Sequence, residues 1–327
     1  GAMRAVLCRQ WGPPEGLAVE EIPSPQPGPG QVVIKVKACG VAFPDVLMIQ
    51  GKYQIKPPFP FSPGSEVSGV VSAVGSGVTG FKQGDAVFGK TTDGCAEEVL
   101  ADPALLWTLP PGVDFAVAAG FGANYGTSYY ALRDRGQLKA GETLLVLGAS
   151  GGVGLAAVEL GKMMGARVIA CASSADKLET CRRAGADELV NYEQEPLRDA
   201  VKRITGERGV DVVYDAVGDK FADPAVRSLA WGGRYLVIGF AAGEIPRVPL
   251  NLPLLKGGAL VGVWWGGLNK HEPQRARAIS EELLQLVATG KLKPYISATY
   301  PLEQTGKALR DLMTRKVQGK IVVLTGA

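Results

Sequence analysis

Seven residues, Gly148-Ala149-Ser150-Gly151-Gly152-Val153-Gly154, carry the clearest chemical signal in this chain of 327 residues. They follow the apolar run Thr143 to Leu147 and lead into a helix-forming run, Val153 to Met164. Strand, glycines and helix in that order form a grip on a dinucleotide pyrophosphate, because a helix N-terminus offers unpaired N–H groups to an anion. Ala149 takes the first glycine slot, while Gly151 and Gly154 keep the close approach to the pyrophosphate and the close helix–strand packing. The N–H groups of Gly151, Gly152 and Val153, beside Ser150, are expected to hold the pyrophosphate.

An NAD site places an acid at the tip of the second strand to bind the ribose 2′-OH. Here that strand, Arg167 to Cys171, continues as Ala172-Ser173-Ser174-Ala175-Asp176-Lys177, with no acid at its tip. Ser173 and Ser174 can donate hydrogen bonds to a 2′-phosphate and Lys177 supplies a compensating charge, so NADPH is the expected cofactor. Asp176 lies past the strand, where it is expected to help cap the next helix.

Other chemistries are narrowed by counting. His271 is the only histidine, so every His-based metal site or nucleophile pair would have to use that residue. It lies beside Glu272 and Pro273 and reads as a solvated surface residue. Five cysteines, Cys8, Cys39, Cys95, Cys171 and Cys181, are scattered without a C-x-x-C spacing, which suits a reduced, cytoplasmic setting. The balance of 35 Lys+Arg against 32 Asp+Glu, without a basic run, argues against nucleic acid as a partner. The uncharged stretch Phe115 to Leu132 contains Asn124, Thr127, Ser128, three tyrosines and three glycines, too polar for a membrane span.

Two kinds of architecture must position these residues. Residues 4 to about 110 read as short strands broken by Pro and Gly: Gln31 to Lys37, Val67 to Val74, Ala86 to Phe88 and Ala96 to Leu100. Between Thr143 and Ile238, short apolar strands alternate with helix-length segments. The strands are Thr143–Leu147, Arg167–Cys171, Glu188–Val190, Asp211–Tyr214 and Arg234–Ile238. The helices lie near Val153–Met164, Ala175–Ala184, Leu197–Thr205 and Phe221–Ala230. This is the rhythm of a doubly wound parallel sheet, and the fold class is α/β. A helix carrying Ile279, Leu283, Leu286 and Val287, ended by Gly290, and a last strand, Lys320 to Leu324, are expected to return to the first domain.

In order, Pro63-Gly64-Ser65-Glu66 with Gly69-Val70-Val71, Tyr125-Gly126-Thr127, Gly148 to Gly154, Gly232-Gly233-Arg234 and Gly319-Lys320-Ile321-Val322 resemble the zinc-free quinone oxidoreductases (zeta-crystallin-like) of the medium-chain dehydrogenase/reductases. The resemblance implies a GroES-like β-rich catalytic domain, residues 1–125 and 264–327, and a Rossmann NADPH-binding domain, residues 126–263. It also implies a homodimer. Zinc-dependent relatives carry a cysteine and a histidine where this chain has Ala42 and Ser65, so no metal is expected. The resemblance places Lys177 and Tyr192 at the 2′-phosphate and Thr127 on the cofactor. It puts Val217, Gly239 and Phe240 beside the nicotinamide and its ribose, with Trp264 and Trp265 on the other side. Ala42 replaces the asparagine usual in this family at the substrate pocket, removing an amide that could face the nicotinamide and substrate.

Met48-Ile49-Gln50-Gly51-Lys52-Tyr53 also resembles the segment that presents a catalytic tyrosine in related 2-enoyl thioester reductases. Tyr53 is therefore expected to line the substrate pocket and to donate a hydrogen bond or a proton there. The expected activity is hydride transfer from NADPH to a quinone or related α,β-unsaturated carbonyl. A 2-enoyl-CoA reductase is the enzymatic alternative. A crystallin-like structural protein or an RNA-binding protein on the same scaffold is the alternative of another class.

Overall fold

The computed structural model describes residues 1–314, 316–317 and 320–327, so Gly319 of the closing motif lies outside the described residues. Two compact units divide the chain, residues 1–122 with 294–327, and residues 123–293. No helix among the described residues is long and apolar enough to cross a membrane.

The chain begins with β1 (Ala2–Leu7), β2 (Ala18–Pro23), β3 (Val32–Val41), α1 (Phe43–Ile49), β4 (Glu66–Val74), β5 (Ala86–Lys90), β6 (Glu98–Ala101), β7 (Leu106–Thr108) and α2 (Phe115–Ala119). A further helix, α3 (Gly122–Tyr129), starts at the boundary between the units. The second unit continues with β8 (Thr143–Leu147), α4 (Gly152–Met163), β9 (Arg167–Ala172), α5 (Ala175–Arg183), β10 (Glu188–Asn191), α6 (Leu197–Thr205) and β11 (Val210–Asp215). It ends with α7 (Ala222–Arg227), β12 (Leu229–Val237), α8 (Asn251–Lys256), β13 (Ala259–Gly262), α9 (Trp265–His271) and α10 (Pro273–Ala288). The chain then returns to the first unit with β14 (Ile296–Pro301), α11 (Thr305–Met313) and β15 (Lys320–Leu324).

In the first unit, β14-β15-β3-β4-β5-β7 form a seven-stranded sheet with β6, which pairs with the N-terminal half of β3. β15 pairs antiparallel with the C-terminal half of β3, from Ile321 opposite Val41 to Leu324 opposite Ala38. The C-terminal strand thus completes a sheet begun some 280 residues earlier in the chain. Val32, Ile34 and Val36 point into the core while Lys35 is exposed, and Val33, on the same face as Lys35, is buried as well. β1 and β2, unanticipated in the sequence, form a separate antiparallel pair tied to the sheet through Ala5 and Ala96.

In the second unit all six strands run parallel in the order β10-β9-β8-β11-β12-β13. The order reverses between β8 and β11, and the crevice beyond the carboxyl ends of those strands is where such sheets bind ligands. Leu144 to Leu147 are wholly buried, and α4 buries Leu155, Ala156, Ala157, Val158 and Leu160. Two expectations need correction here. The helix expected over Phe221–Ala230 is the shorter α7, because β12 already starts at Leu229, five residues before Arg234. Helix α10 belongs to the second unit, since it packs on α9, so residues 264–293 do not return to the first.

Candidate cofactor and active site

The glycine loop leaves β8 at Gly148, whose φ of +63° favours glycine. A side chain at Gly154 would place its Cβ 2.3 Å from the Gly148 carbonyl oxygen, so α4 can start this close to the strand only with glycine there. Gly151 caps the helix, its carbonyl accepting the Leu155 N–H at 2.8 Å. The Gly151 N–H is taken by the Gly148 carbonyl at 3.2 Å. The free donors are therefore those of Gly152, Val153 and Gly154, one residue later than expected, and they belong to the first turn of α4. Ser150 is buried next to them. Unpaired N–H groups at a helix N-terminus can hold an anion.

At the tip of β9, Ser174 caps α5, its hydroxyl accepting the Lys177 N–H at 3.3 Å. Lys177 Nζ turns back to donate to Ser173 Oγ at 3.1 Å. The cap is thus Ser174, and Asp176 lies within the first turn, where its charge complements the helix dipole. Tyr192, just past β10, packs its ring 4.3 Å from that of Phe221, and burial pushes its phenol up to about 12. The two rings wall a cavity of about 460 Å³ whose rim carries Arg198, Lys202 and Lys220 along with Asp199. Neither these three cations nor Lys177 forms an ion pair among the described residues. The polar β9 tip and this electropositive rim both suit a phosphate.

The end of β11 is shaped by Asp215, which is 1% exposed. One carboxylate oxygen accepts the N–H groups of Val217 (2.8 Å) and Gly218 (2.9 Å), and the Tyr235 hydroxyl donates to the other. Val217 is thereby pressed against Gly148, and Phe240 lies over Gly218. The N–H groups of Gly239 and Ala241 bond to the carbonyls of Asp215 and Ala216, which zips the two loops together. Val217, Gly239 and Phe240 therefore form one wall. The two tryptophans part company: Trp265 is buried against Gly126, the neighbour of Thr127, whereas Trp264 is 67% exposed and lies over Gly266 and Gly267. Phe240, Trp264 and His271 line one cavity of about 520 Å³, with His271 exposed at its edge.

The first unit carries the other residues singled out above. Ala42 caps α1; its N–H donates to Asp45 Oδ2 at 2.9 Å, and its carbonyl accepts the Asp45 N–H. Asp45 is buried, and its other oxygen accepts the Gly64 N–H at 2.8 Å; burial raises its carboxyl above the ordinary range. Helix α1 ends in a Schellman turn, with Gly51 at φ +70° and the Lys52 and Gly51 N–H groups bonded to the carbonyls of Leu47 and Met48. The Trp11 ring covers Gly51, and the turn delivers Tyr53 half-buried in the following bend. Beneath Ser65, Glu66 pairs with Lys320. A catalytic zinc does not fit these residues: Ala42 and Ser65 offer no thiolate or imidazole. Cys39 and Cys95, 3.9 Å apart, are wholly buried under Gly64 and Gly94. No group of three metal-binding side chains occurs among the described residues.

A parallel sheet with a glycine loop at its switch point, in one chain with a β-rich unit closed by the C-terminal strand, defines a two-domain nicotinamide-dependent oxidoreductase. Residues 28–128 match the family model of the alcohol dehydrogenase GroES-like domain, and residues 152–285 match that of the zinc-binding dehydrogenases. The quinone oxidoreductase-like protein 2 homolog of Nematostella vectensis is 40% identical over 98% of this chain and 89% of its own. A probable oxidoreductase from Mycobacterium abscessus superposes with a TM-score of 0.89 at 41% identity, covering 99% of both chains. Escherichia coli quinone oxidoreductase complexed with NADPH gives 0.86 at 29% identity, covering 99% of this chain and 100% of that one. The chain belongs to the quinone oxidoreductase family of the medium-chain dehydrogenase/reductases. It is an oxidoreductase that binds a nicotinamide cofactor and acts on small molecules.

Proposed function

We propose that the enzyme is an NADPH-dependent, zinc-independent reductase of quinones or related α,β-unsaturated carbonyls. The observation that carries the cofactor choice is the acid-free tip of β9, where Lys177 turns its ammonium onto Ser173 and Ser174 caps the following helix. A carboxylate at this tip would repel a 2′-phosphate; two hydroxyls and an ammonium attract one. Free N–H groups of Gly152, Val153 and Gly154 hold the pyrophosphate, and Tyr192 flanks the adenosine end. Val217, Gly239 and Phe240 form one wall for the nicotinamide, which the Asp215 hydrogen bonds keep rigid. Thr127 contacts the same cofactor, and the tryptophan segment gives the opposite wall. NADPH bound there supplies a hydride from C4 of its nicotinamide.

On the acceptor side, Ala42 leaves a methyl where an amide would orient the substrate. Tyr53 donates a hydrogen bond to the carbonyl oxygen that gains charge, and then a proton. NADPH oxidation with 1,4-benzoquinone or 9,10-phenanthrenequinone, compared with crotonyl-CoA, tests this reading on EDTA-treated enzyme. Turnover of the quinones supports it. Turnover confined to crotonyl-CoA would assign an enoyl thioester reductase instead, and activity that vanishes with EDTA and returns with zinc would overturn zinc independence.

The working form we propose is a homodimer. Strand β13 is an open edge of the parallel sheet, and Leu250, Leu254, Leu255 and Leu260 are exposed on and just before it. An unpaired edge flanked by apolar side chains invites a second strand.

A further inference from the structure

Asn124 stands in the first turn of α3, on the same face as Thr127 and Ser128, three and four residues on. That face is fixed to the glycine loop. Ser128, wholly buried, donates its hydroxyl to the Val153 carbonyl at 2.8 Å and lies 2.7 Å from the hydroxyl of buried Tyr214. Tyr125 donates to Glu159 of α4 at 2.5 Å. Helices α3 and α4 are therefore clamped together beside the anion-binding amides, and Asn124 has one setting relative to them.

In that setting its carboxamide lies flat on Gly152. A Cβ at position 152 would come 2.6 Å from Asn124 Nδ2 and 3.0 Å from both Cγ and Oδ1. The backbone of Gly152 is ordinary helix with negative φ, so the absent side chain makes room for Asn124 rather than for a special turn. Yet the amide, half-buried, makes no hydrogen bond among the described residues. Its two donors and two acceptor lone pairs therefore face solvent, open to a ligand that reaches the free N–H groups beside it.

We infer that Asn124 is a further cofactor-binding residue, its Nδ2–H₂ donating to a pyrophosphate oxygen of the dinucleotide held by Gly152, Val153 and Gly154. The inference rests on the dinucleotide reading of the glycine loop. It adds one side-chain donor to a set otherwise made of backbone. Because NADPH and NADH share the pyrophosphate, Asn124 acts equally on both, unlike Lys177.

The test is fluorescence titration of NADPH and NADH with wild type, Asn124→Ala, Asn124→Asp and Lys177→Ala. Loss of a hydrogen bond to a charged group predicts that Asn124→Ala weakens both cofactors about tenfold or more. Asn124→Asp, nearly isosteric, weakens both further by placing a carboxylate against the pyrophosphate, and it carries the test should the alanine variant fail to fold. Lys177→Ala weakens NADPH alone. Affinities within twofold of wild type for both Asn124 variants would overturn the inference while leaving the dinucleotide site standing, as would a loss confined to NADPH. Wild type that binds neither cofactor would overturn the dinucleotide reading and the inference with it.

Discussion

Lys320 reaches Glu66 through a gap that two glycines leave open. Its Nζ lies 2.5 Å from Glu66 Oε2, and both side chains are nearly inaccessible. A Cβ on Gly40 would meet Lys320 Cε at 2.9 Å, and one on Gly120 would meet its Cγ at 3.0 Å. The pair joins β4, which follows Ser65, to the first residue of the C-terminal strand.

Removing one partner of a buried pair costs about 3–5 kcal/mol, whereas removing both costs less. Lys320→Met should therefore lower the unfolding free energy by about that amount, and adding Glu66→Gln should recover part of it. Urea unfolding of the single and double variants measures this. A double variant less stable than Lys320→Met alone would show that Glu66 is held by other contacts.

Cofactor choice is expected to rest on Lys177. Lys177→Ala should weaken NADPH by roughly 1–3 kcal/mol, the range for charged hydrogen bonds, with NADH unaffected. Added salt should weaken NADPH more steeply than NADH, since Lys177, Arg198, Lys202 and Lys220 act through charge at an accessible site. Equal dissociation constants for the two cofactors in wild type would contradict the assignment.

Acid should loosen the second unit through Glu142. Arg234 holds its carboxyl below the ordinary range by a two-pronged hydrogen bond, Nη1 to Oε2 at 2.9 Å and Nη2 to Oε1 at 2.7 Å. With the folded value depressed, this stabilisation is fully present above the unfolded value of 4.5 and is lost as pH falls through the folded one. Asp45 has the opposite sign: burial raises it, so its contribution is present below 3.8 and lost as pH rises through the raised value. Glu142→Gln should accordingly cost stability at neutral pH and flatten the acid limb of the stability curve. An acid limb unchanged in Glu142→Gln would assign acid sensitivity elsewhere.

The proposed dimer makes β13 its most sensitive element. Leu260→Lys places a charge on the open edge, so light scattering should show wild type at twice the chain mass and the variant shifted toward monomer. Wild type that stays monomeric at every concentration would remove the dimer from the functional reading.

How far these features could be read in advance follows from how each element buries itself. Parallel strands covered on both faces are apolar runs, and Thr143–Leu147 was therefore plain to its exact ends. Strand β14, Ile296-Ser297-Ala298-Thr299-Tyr300-Pro301, alternates polar residues at a sheet edge and gives no such run. Ser173, Ser174 and Lys177 were legible because the β9 tip is local in sequence. Asp45, Glu66 and Lys320 were not, because their charges are brought to one place only when β15 adds to β3. Asn124 stood in view as a polar residue in an uncharged stretch. Its relation to Gly152 depends on the clamp between α3 and α4, which no spacing encodes.

Tyr53 separates chemistry from packing. The Schellman turn at Gly51 fixes where the residue leaves α1, and its ring is half-buried, so Tyr53→Phe keeps the packing and removes one hydroxyl. With an enoyl thioester, the enolate left after hydride transfer must be stabilised and protonated at carbon. Loss of the hydroxyl should then lower kcat by about ten- to a thousand-fold, about 1.4–4 kcal/mol. With a quinone, aromatisation drives the reaction and solvent can protonate a phenolate oxygen, so the loss should be smaller. Measuring kcat and KM for both acceptors with one variant therefore reports on mechanism and substrate class together. If both acceptors stay within about twofold of wild type, under ~0.5 kcal/mol, Tyr53 is only a wall of the substrate pocket and its role as donor is wrong.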